Sequence, residues 1–273
     1  MEVTLNVCQG IGDTFWVYQK LAPYVNGIHF RIAHVRHVSH KLMSRAEGFI
    51  RMWPKTLSVT SFMTTHEAYN MLSQGQFYVP RVLQNLGPSW YACNSHLEQG
   101  VRLEDIDPHY PPQETVPLQL EPIHVPPRYI AVYVSGTTDD GPLATKMGTW
   151  SEVQWVEFLE RIHSSVPFLF LGASYDQPIL ERLARRFGSE VEIDRKPTQV
   201  LYMLKHCDFF VGYQSGLNVL ADNLDVRQLM LYFPYLQPML YTWCKRQNAG
   251  TVFHADTFAV TPQRASEYVS SWR

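Results

Sequence analysis

"NVCQGIGDTFW", residues 6–16, joins a short apolar run to a glycine-rich turn and then to an acidic residue and a threonine, the order of a β-strand, a tight turn and a helix start. Such a turn lets backbone N–H groups approach a phosphate with the positive end of a helix behind them, and Gly10 and Gly12 are the residues that would allow it. A dinucleotide fits poorly. The third glycine of the dinucleotide fingerprint is replaced by Phe15, and "IHFRIAHVRHVSH" at 28–40 carries no acid to meet a ribose hydroxyl. What remains is Asp13, a carboxylate where a helix begins. A helix dipole stabilises a negative charge there, so the residues alone leave two readings open: a cap or first-turn acid, and a catalytic base.

The strand-then-helix order recurs along the chain and predicts an α/β protein with parallel sheets. In the first half, strands are expected at 3–7, 28–35 and 57–62, with helices at 14–24, 40–51 and 65–73. From Pro108 to Pro127, "PHYPPQETVPLQLEPIHVPP" holds seven prolines, each removing a donor and restricting its neighbour, so neither a helix nor a central strand persists there. This stretch predicts a semi-rigid linker at 108–127 between domains at 1–107 and 128–273. After it, strands are read in "YIAVYVS", "PFLFLGA", "VEID", "DFFVG" and "RQLMLYF", and helices in "TWSEVQWVEFLERIH", "QPILERLARRF", "PTQVLYMLKHC" and "SGLNVLADNL". Trp150, Val153, Val156, Phe158 and Leu159 are read as one helical core face. Two such halves predict a ligand between facing carboxyl ends of strands.

Composition narrows the function classes. A chain of 273 residues suits two ordinary domains, and a net charge of -2 supplies no global attraction for polyanions. The basic clusters, "ARRF", "DRKP" and "HFRIAHVRHVSHK", form no dominant patch. Cys8, Cys93, Cys207 and Cys244 stand far apart, the pattern of reduced thiols. With no apolar run of about 18–20 residues and no basic-then-apolar leader in "MEVTLNV", the expectation is a soluble cytoplasmic protein.

The second half carries further candidates. In "VGYQSGLNVLADNL" a strand ends at Gly212 and a helix begins near Ser215–Gly216, offering N–H groups and a hydroxyl to an anion; an ordinary N-cap reads the same way. In "SGTTDDGPLATKMGTW" a long loop carries Thr137, Thr138 and Lys146, a lysine able to meet a phosphate as a point charge or to remain a surface residue.

In order, these pieces resemble glycosyltransferase family 9, the ADP-heptose:lipopolysaccharide heptosyltransferases of the GT-B fold. "GIGDTFWVYQKLAPY" (10–24) is similar to the family's Gly-x-Gly-Asp turn and helix, and "VSGTTDDGPLATKMGTWSEVQWVEFLERI" (134–162) to its double-threonine loop, lysine and Trp-led helix. "FLGASYDQPILERLA" (170–184) is similar to its Gly-Ala strand end with acids and a helix, and "LKHCDFFVGYQSGLNVLADNL" (204–224) to its Asp-[Ser/Thr]-Gly signature. The resemblance implies two Rossmann-type α/β domains facing across a cleft, an acceptor-side N-terminal one and a nucleotide-sugar-binding C-terminal one. It implies that Asp13 is the general base, that Thr137, Thr138 and Lys146 hold the donor diphosphate with Gln214, Ser215, Gly216 and Leu217, that Asp176 meets the ribose hydroxyls, and that Lys196 lies beside the base. Gln214 and Val219 stand where the signature has aspartate and histidine, which points away from a heptose donor. The implied activity is inverting, metal-independent sugar transfer from a nucleoside diphosphate sugar, needing no cofactor, to a hydroxyl acceptor, first a saccharide. The alternatives are a modified base in DNA as acceptor, as for some viral enzymes, or a nucleotide-sugar-binding protein without turnover.

Overall fold

The computed structural model describes residues 2–7, 10–34, 40–63, 95–97, 115–135, 150–213, 215–232, 252–256, 260–270 and 272. It divides into two compact units, Met1–Gln119 and Leu120–Arg273. The division falls inside the proline-rich stretch. The expected helix at 65–73 lies outside the described residues, as do Cys8, Cys93 and Cys244.

In the first unit, β1 (Glu2–Val7), β2 (Gly27–His34) and β3 (Thr56–Met63) are joined through α1 (Ile11–Leu21) and α2 (His40–Arg51), and β4 (Ser95–Leu97) follows. The described strands run in the order β3-β2-β1-β4, parallel except for β4. Alternation explains β1, whose Val3, Leu5 and Val7 are all buried. α1 is held down by Phe15 and Tyr18, which pack on Trp53 at ring centroid distances of 5.2 and 5.0 Å. It begins at Ile11 rather than near residue 14, because the Thr14 N–H already closes a helical bond to the Gly10 carbonyl at 3.0 Å. Asp13 is therefore the third residue of the first turn, and Gly10 is the N-cap.

The second unit is built on β5 (Ile130–Tyr133), β6 (Phe168–Gly172), β7 (Glu190–Ile193), β8 (Phe209–Tyr213), β9 (Gln228–Tyr232) and β10 (Val252–Asp256). Its helices are α3 (Glu152–Ile162), α4 (Gln177–Phe187), α5 (Pro197–His206), α6 (Gly216–Asn223) and α7 (Pro262–Ser270). Among the described residues the strands are all parallel, in the order β10-β9-β8-β5-β6-β7. Counted from β5, that is the 3-2-1-4-5-6 order of dinucleotide-binding folds. β5 and β8 are buried along their whole length, as a sheet covered on both faces requires.

α3 starts on a capping box, the Ser151 hydroxyl accepting from the Gln154 N–H while the Gln154 side chain accepts from the Ser151 N–H. Its core face is Trp155, Phe158, Leu159 and Ile162, the i, i+3, i+4, i+7 spacing, and Val153 is 75 % exposed. Val153 thus leaves the expected core set, because the cap at Ser151 fixes the phase of the helix. Trp150 is buried, though it precedes the helix. β10 and α7 continue the alternation past "RQLMLYF". Among the described residues no helix is long and apolar enough to cross a membrane.

Candidate functional site

In an open parallel sheet, ligands bind beyond the carboxyl ends of the strands, where the strand order reverses. In the second unit that point lies between β5 and β8, which pair from Ile130 with Phe209 to Tyr133 with Gly212. Beyond β5 come Val134 and Ser135, both fully buried. Thr137, Thr138 and Lys146 follow in 136–149 and lie outside the described residues. The chain is described again at Trp150, whose backbone N–H donates to the hydroxyl of Tyr213, the last residue of β8. The segment carrying the two threonines and the lysine therefore leaves from the end of β5 and returns to the end of β8. Tyr213 is fully buried, and desolvation raises its phenol far above the usual range, so it stays neutral.

Gln214 lies outside the described residues, and Ser215 is the N-cap of α6. Its backbone is extended and its side chain accepts no N–H of the first turn. Instead the hydroxyl donates to Asn218 Oδ1 at 3.1 Å, and Asn218 Nδ2 donates to Gln228 Oε1 at 3.0 Å while Gln228 Nε2 returns a bond to the Asn218 carbonyl at 2.9 Å. This buried amide pair ties α6 to β9. It leaves the helix start, with Gly216 and Leu217, uncapped by Ser215, which is the arrangement an anion exploits. Val219 is 7 % exposed and belongs to the packed side of α6.

Beyond β6, α4 packs so closely that a Cβ on Gly172 would lie 2.4 Å from Leu180 Cδ1. Asp176 is 2 % exposed, and its Oδ2 accepts from the Ala173 N–H at 3.2 Å. Its own N–H donates to the Ala173 carbonyl at 2.8 Å. The structure thus folds this carboxylate into the β6–α4 turn. Beyond β7 the chain makes a left-handed step at Asp194, φ 51°, where "VEID" had been expected to remain strand. Asp194 is exposed, and its Oδ1 accepts from the Ser174 N–H of the β6 loop at 3.3 Å. The local signal was an acid directly after an apolar alternation and before "RKP", which marks the end of a strand without saying where the carboxylate reaches.

Lys196, the N-cap of α5, is exposed and meets Glu121 Oε1 at 3.1 Å. Glu121 also accepts from Thr198 Oγ1 at 2.9 Å and Gln199 Nε2 at 3.1 Å. Those bonds, Thr198 first and then Lys196, hold its carboxyl below the usual range. Glu121 comes from the proline-rich stretch, which at this residue is tied to the start of α5. In the first unit, Gly10 caps α1 and Gly12 is buried in its first turn beside Asp13.

No family model matches the sequence, and no curated protein matches it. Solved structures do. A glycosyl transferase of family 9 from Veillonella parvula DSM 2008 is similar at a TM-score of 0.63 and 10 % identity, over 99 % of this chain and 96 % of that one. The E. coli heptosyltransferase WaaC with ADP is similar at 0.63 and 14 % identity over the whole of both chains. E. coli ADP-heptose lps heptosyltransferase II reaches 0.59 and 13 % identity over 100 % of this chain and 98 % of that one. At identities this low the likeness is one of architecture, and the architecture of this chain is the α/β, GT-B-like fold of those glycosyltransferases.

Proposed function

We propose that the chain is an inverting, metal-independent glycosyltransferase that moves a sugar from a nucleoside diphosphate sugar to a hydroxyl of a saccharide, in a cytoplasmic setting. The observation that carries the reading is the meeting at the β5–β8 switch point of a helix start its own serine does not cap with the two ends of the 136–149 segment. That is a place for a diphosphate. The fold supports it, since one of the solved structures that share it holds ADP.

In this reaction Asp13 takes the proton of the acceptor hydroxyl as its oxygen bonds to the anomeric carbon. The bond from that carbon to the diphosphate oxygen breaks on the opposite face, and the configuration inverts. The electron pair leaves with the nucleoside diphosphate. Its negative charge is met by the N–H groups of Gly216 and Leu217, the dipole of α6 and the ammonium of Lys146, with Thr137 and Thr138 as neutral donors. Buried Val219 adds no imidazole to this set, in keeping with a donor other than heptose.

Binding tests the donor half directly. Of ADP, UDP, GDP and CDP, one at about 100 times its dissociation constant adds about 2.7 kcal/mol to the folded state and raises the melting temperature. Lys146→Ala weakens that nucleotide by about 1.5–3 kcal/mol in calorimetry, the range for a charge-assisted contact, with the melting temperature of the free protein unchanged. If none of the four moves the transition, the donor site is elsewhere.

Metal independence has its own expected result. Because the start of α6 and Lys146 take the place of a divalent cation, transfer continues at the same rate in EDTA. Activity lost in chelator and restored by manganese or magnesium overturns this part of the mechanism.

A further inference from the structure

Two helices of the second unit begin at a serine with an amide three residues on: Ser151 with Gln154 on α3, and Ser215 with Asn218 on α6. In both, the hydroxyl donates to the amide oxygen at 3.1 Å. In α3 the same hydroxyl also accepts the Gln154 N–H and closes the helix start. In α6 it accepts no first-turn N–H, so the orphan donors of Gly216 and Leu217 are not closed by it. What differs is the hold on the amide. Gln154 is half-buried at the surface, whereas Asn218 is 2 % exposed and fastened to Gln228, the first residue of β9, itself 1 % exposed. We infer that Asn218 and Gln228 are positioning residues of the donor site: the tethered amide draws the Ser215 hydroxyl off the first turn of α6 and keeps the Gly216 and Leu217 N–H groups open to the diphosphate, a role that rests on the donor site proposed above.

The direction of each bond in the pair follows from its neighbour. Gln228 Nε2 donates to the Asn218 carbonyl at 2.9 Å, which turns Gln228 Oε1 toward the Asn218 side chain. Oε1 only accepts, so it is Asn218 Nδ2 that donates to it, at 3.0 Å. Asn218 Oδ1 is then the atom that faces Ser215, and it takes the single proton of the hydroxyl. Ser215 therefore brings no proton of its own to a phosphate oxygen, and the anion is left to the backbone. All four polar side-chain atoms of the two amides have partners, as a network buried this deeply requires. An apolar pair at these two positions would fill the space without burying two amides, so packing alone does not account for the residue types.

Asn218→Leu with Gln228→Met removes the tether and leaves no amide unpaired, so the variant folds with a melting temperature near that of wild type. Its Ser215 hydroxyl turns onto a first-turn N–H as that of Ser151 does. The one of ADP, UDP, GDP and CDP that binds the wild-type chain then binds about fivefold more weakly by calorimetry, the value of one N-cap hydrogen bond. Adding Ser215→Ala removes the competing hydroxyl and restores the wild-type affinity, a reversal that a merely structural role does not give. Gln228→Met alone unties Asn218 and shows the same loss and the same reversal, so the result does not depend on the paired variant folding. Wild-type affinity in the untethered variants, or a loss that Ser215→Ala does not reverse, overturns the assignment and leaves the donor site standing. A wild-type chain that binds none of the four diphosphates overturns both.

Discussion

Asp13→Asn slows sugar transfer by about 100- to 10,000-fold, the contribution of a general base, while the affinity for the nucleotide donor stays near that of the unchanged chain. The amide matches the carboxylate in size and keeps an acceptor oxygen, but it takes no proton. A purely structural role leads to a different result. With Gly10 as the N-cap, Asp13 is the third residue of α1, where a carboxylate gains about 0.3–1 kcal/mol from the helix dipole. Losing that charge costs stability of this size and leaves the rate alone. Single-turnover transfer measured beside donor binding and the melting temperature separates the two. Near-normal transfer by Asp13→Asn, with a small loss of stability, returns Asp13 to the first-turn role.

The second large effect is on stability. Trp155 is fully buried and packs on Trp150 at 5.4 Å, Tyr213 at 5.7 Å and Phe158 at 6.1 Å between ring centroids. Trp155→Ala removes the ring that fills the space between α3 and the end of β8, at a cost of about 3–5 kcal/mol. At about 2–4 °C per kcal/mol for a domain of this size, the melting temperature of the second unit falls by roughly 6–20 °C. The same cavity loosens Trp150 and Tyr213, whose backbone-to-hydroxyl bond anchors the return of 136–149, so the nucleotide binds more weakly in whatever fraction remains folded. Trp155→Phe keeps part of the ring and loses less of both. A melting temperature within 2 °C of wild type for Trp155→Ala means that the neighbours collapse into the space.

The predicted helix at His40–Arg51 and the strands and helices of the second unit from β5 to β9 lie within a few residues of their expected places, because contiguous residues carry that information; β10 and α7 were not foreseen. An apolar run as short as "FFVG" must be a covered strand in this context, and "QPILERLARRF" has the spacing of one helical face. The misplaced core residue, Val153, shows the limit. Periodicity establishes that α3 has an apolar face, but the phase depends on where the helix begins, and that is set by the bonds between Ser151 and Gln154.

The site divides in the same way. The helix start at Ser215–Gly216 and the presence of acids beyond β6 and β7 were determined by the sequence alone, since each is a local consequence of residue type. Only the tertiary structure decided which of those groups face solvent. Asp176 and Asp194 look alike in the sequence, each an acid just past an apolar strand. Parallel pairing of β6 with β7 puts both beside one loop, where the first closes the turn and the second stays exposed. Likewise, Trp150 and Tyr213 are far apart in the chain, and the packing of Trp155 of α3 on both makes them the two sides of one anchor. The physical reason is common to both cases. Backbone propensity and hydrophobic period are properties of neighbours in sequence, whereas the orientation and burial of a polar side chain depend on hydrogen-bond partners that only the packed sheet brings within 3.5 Å of it.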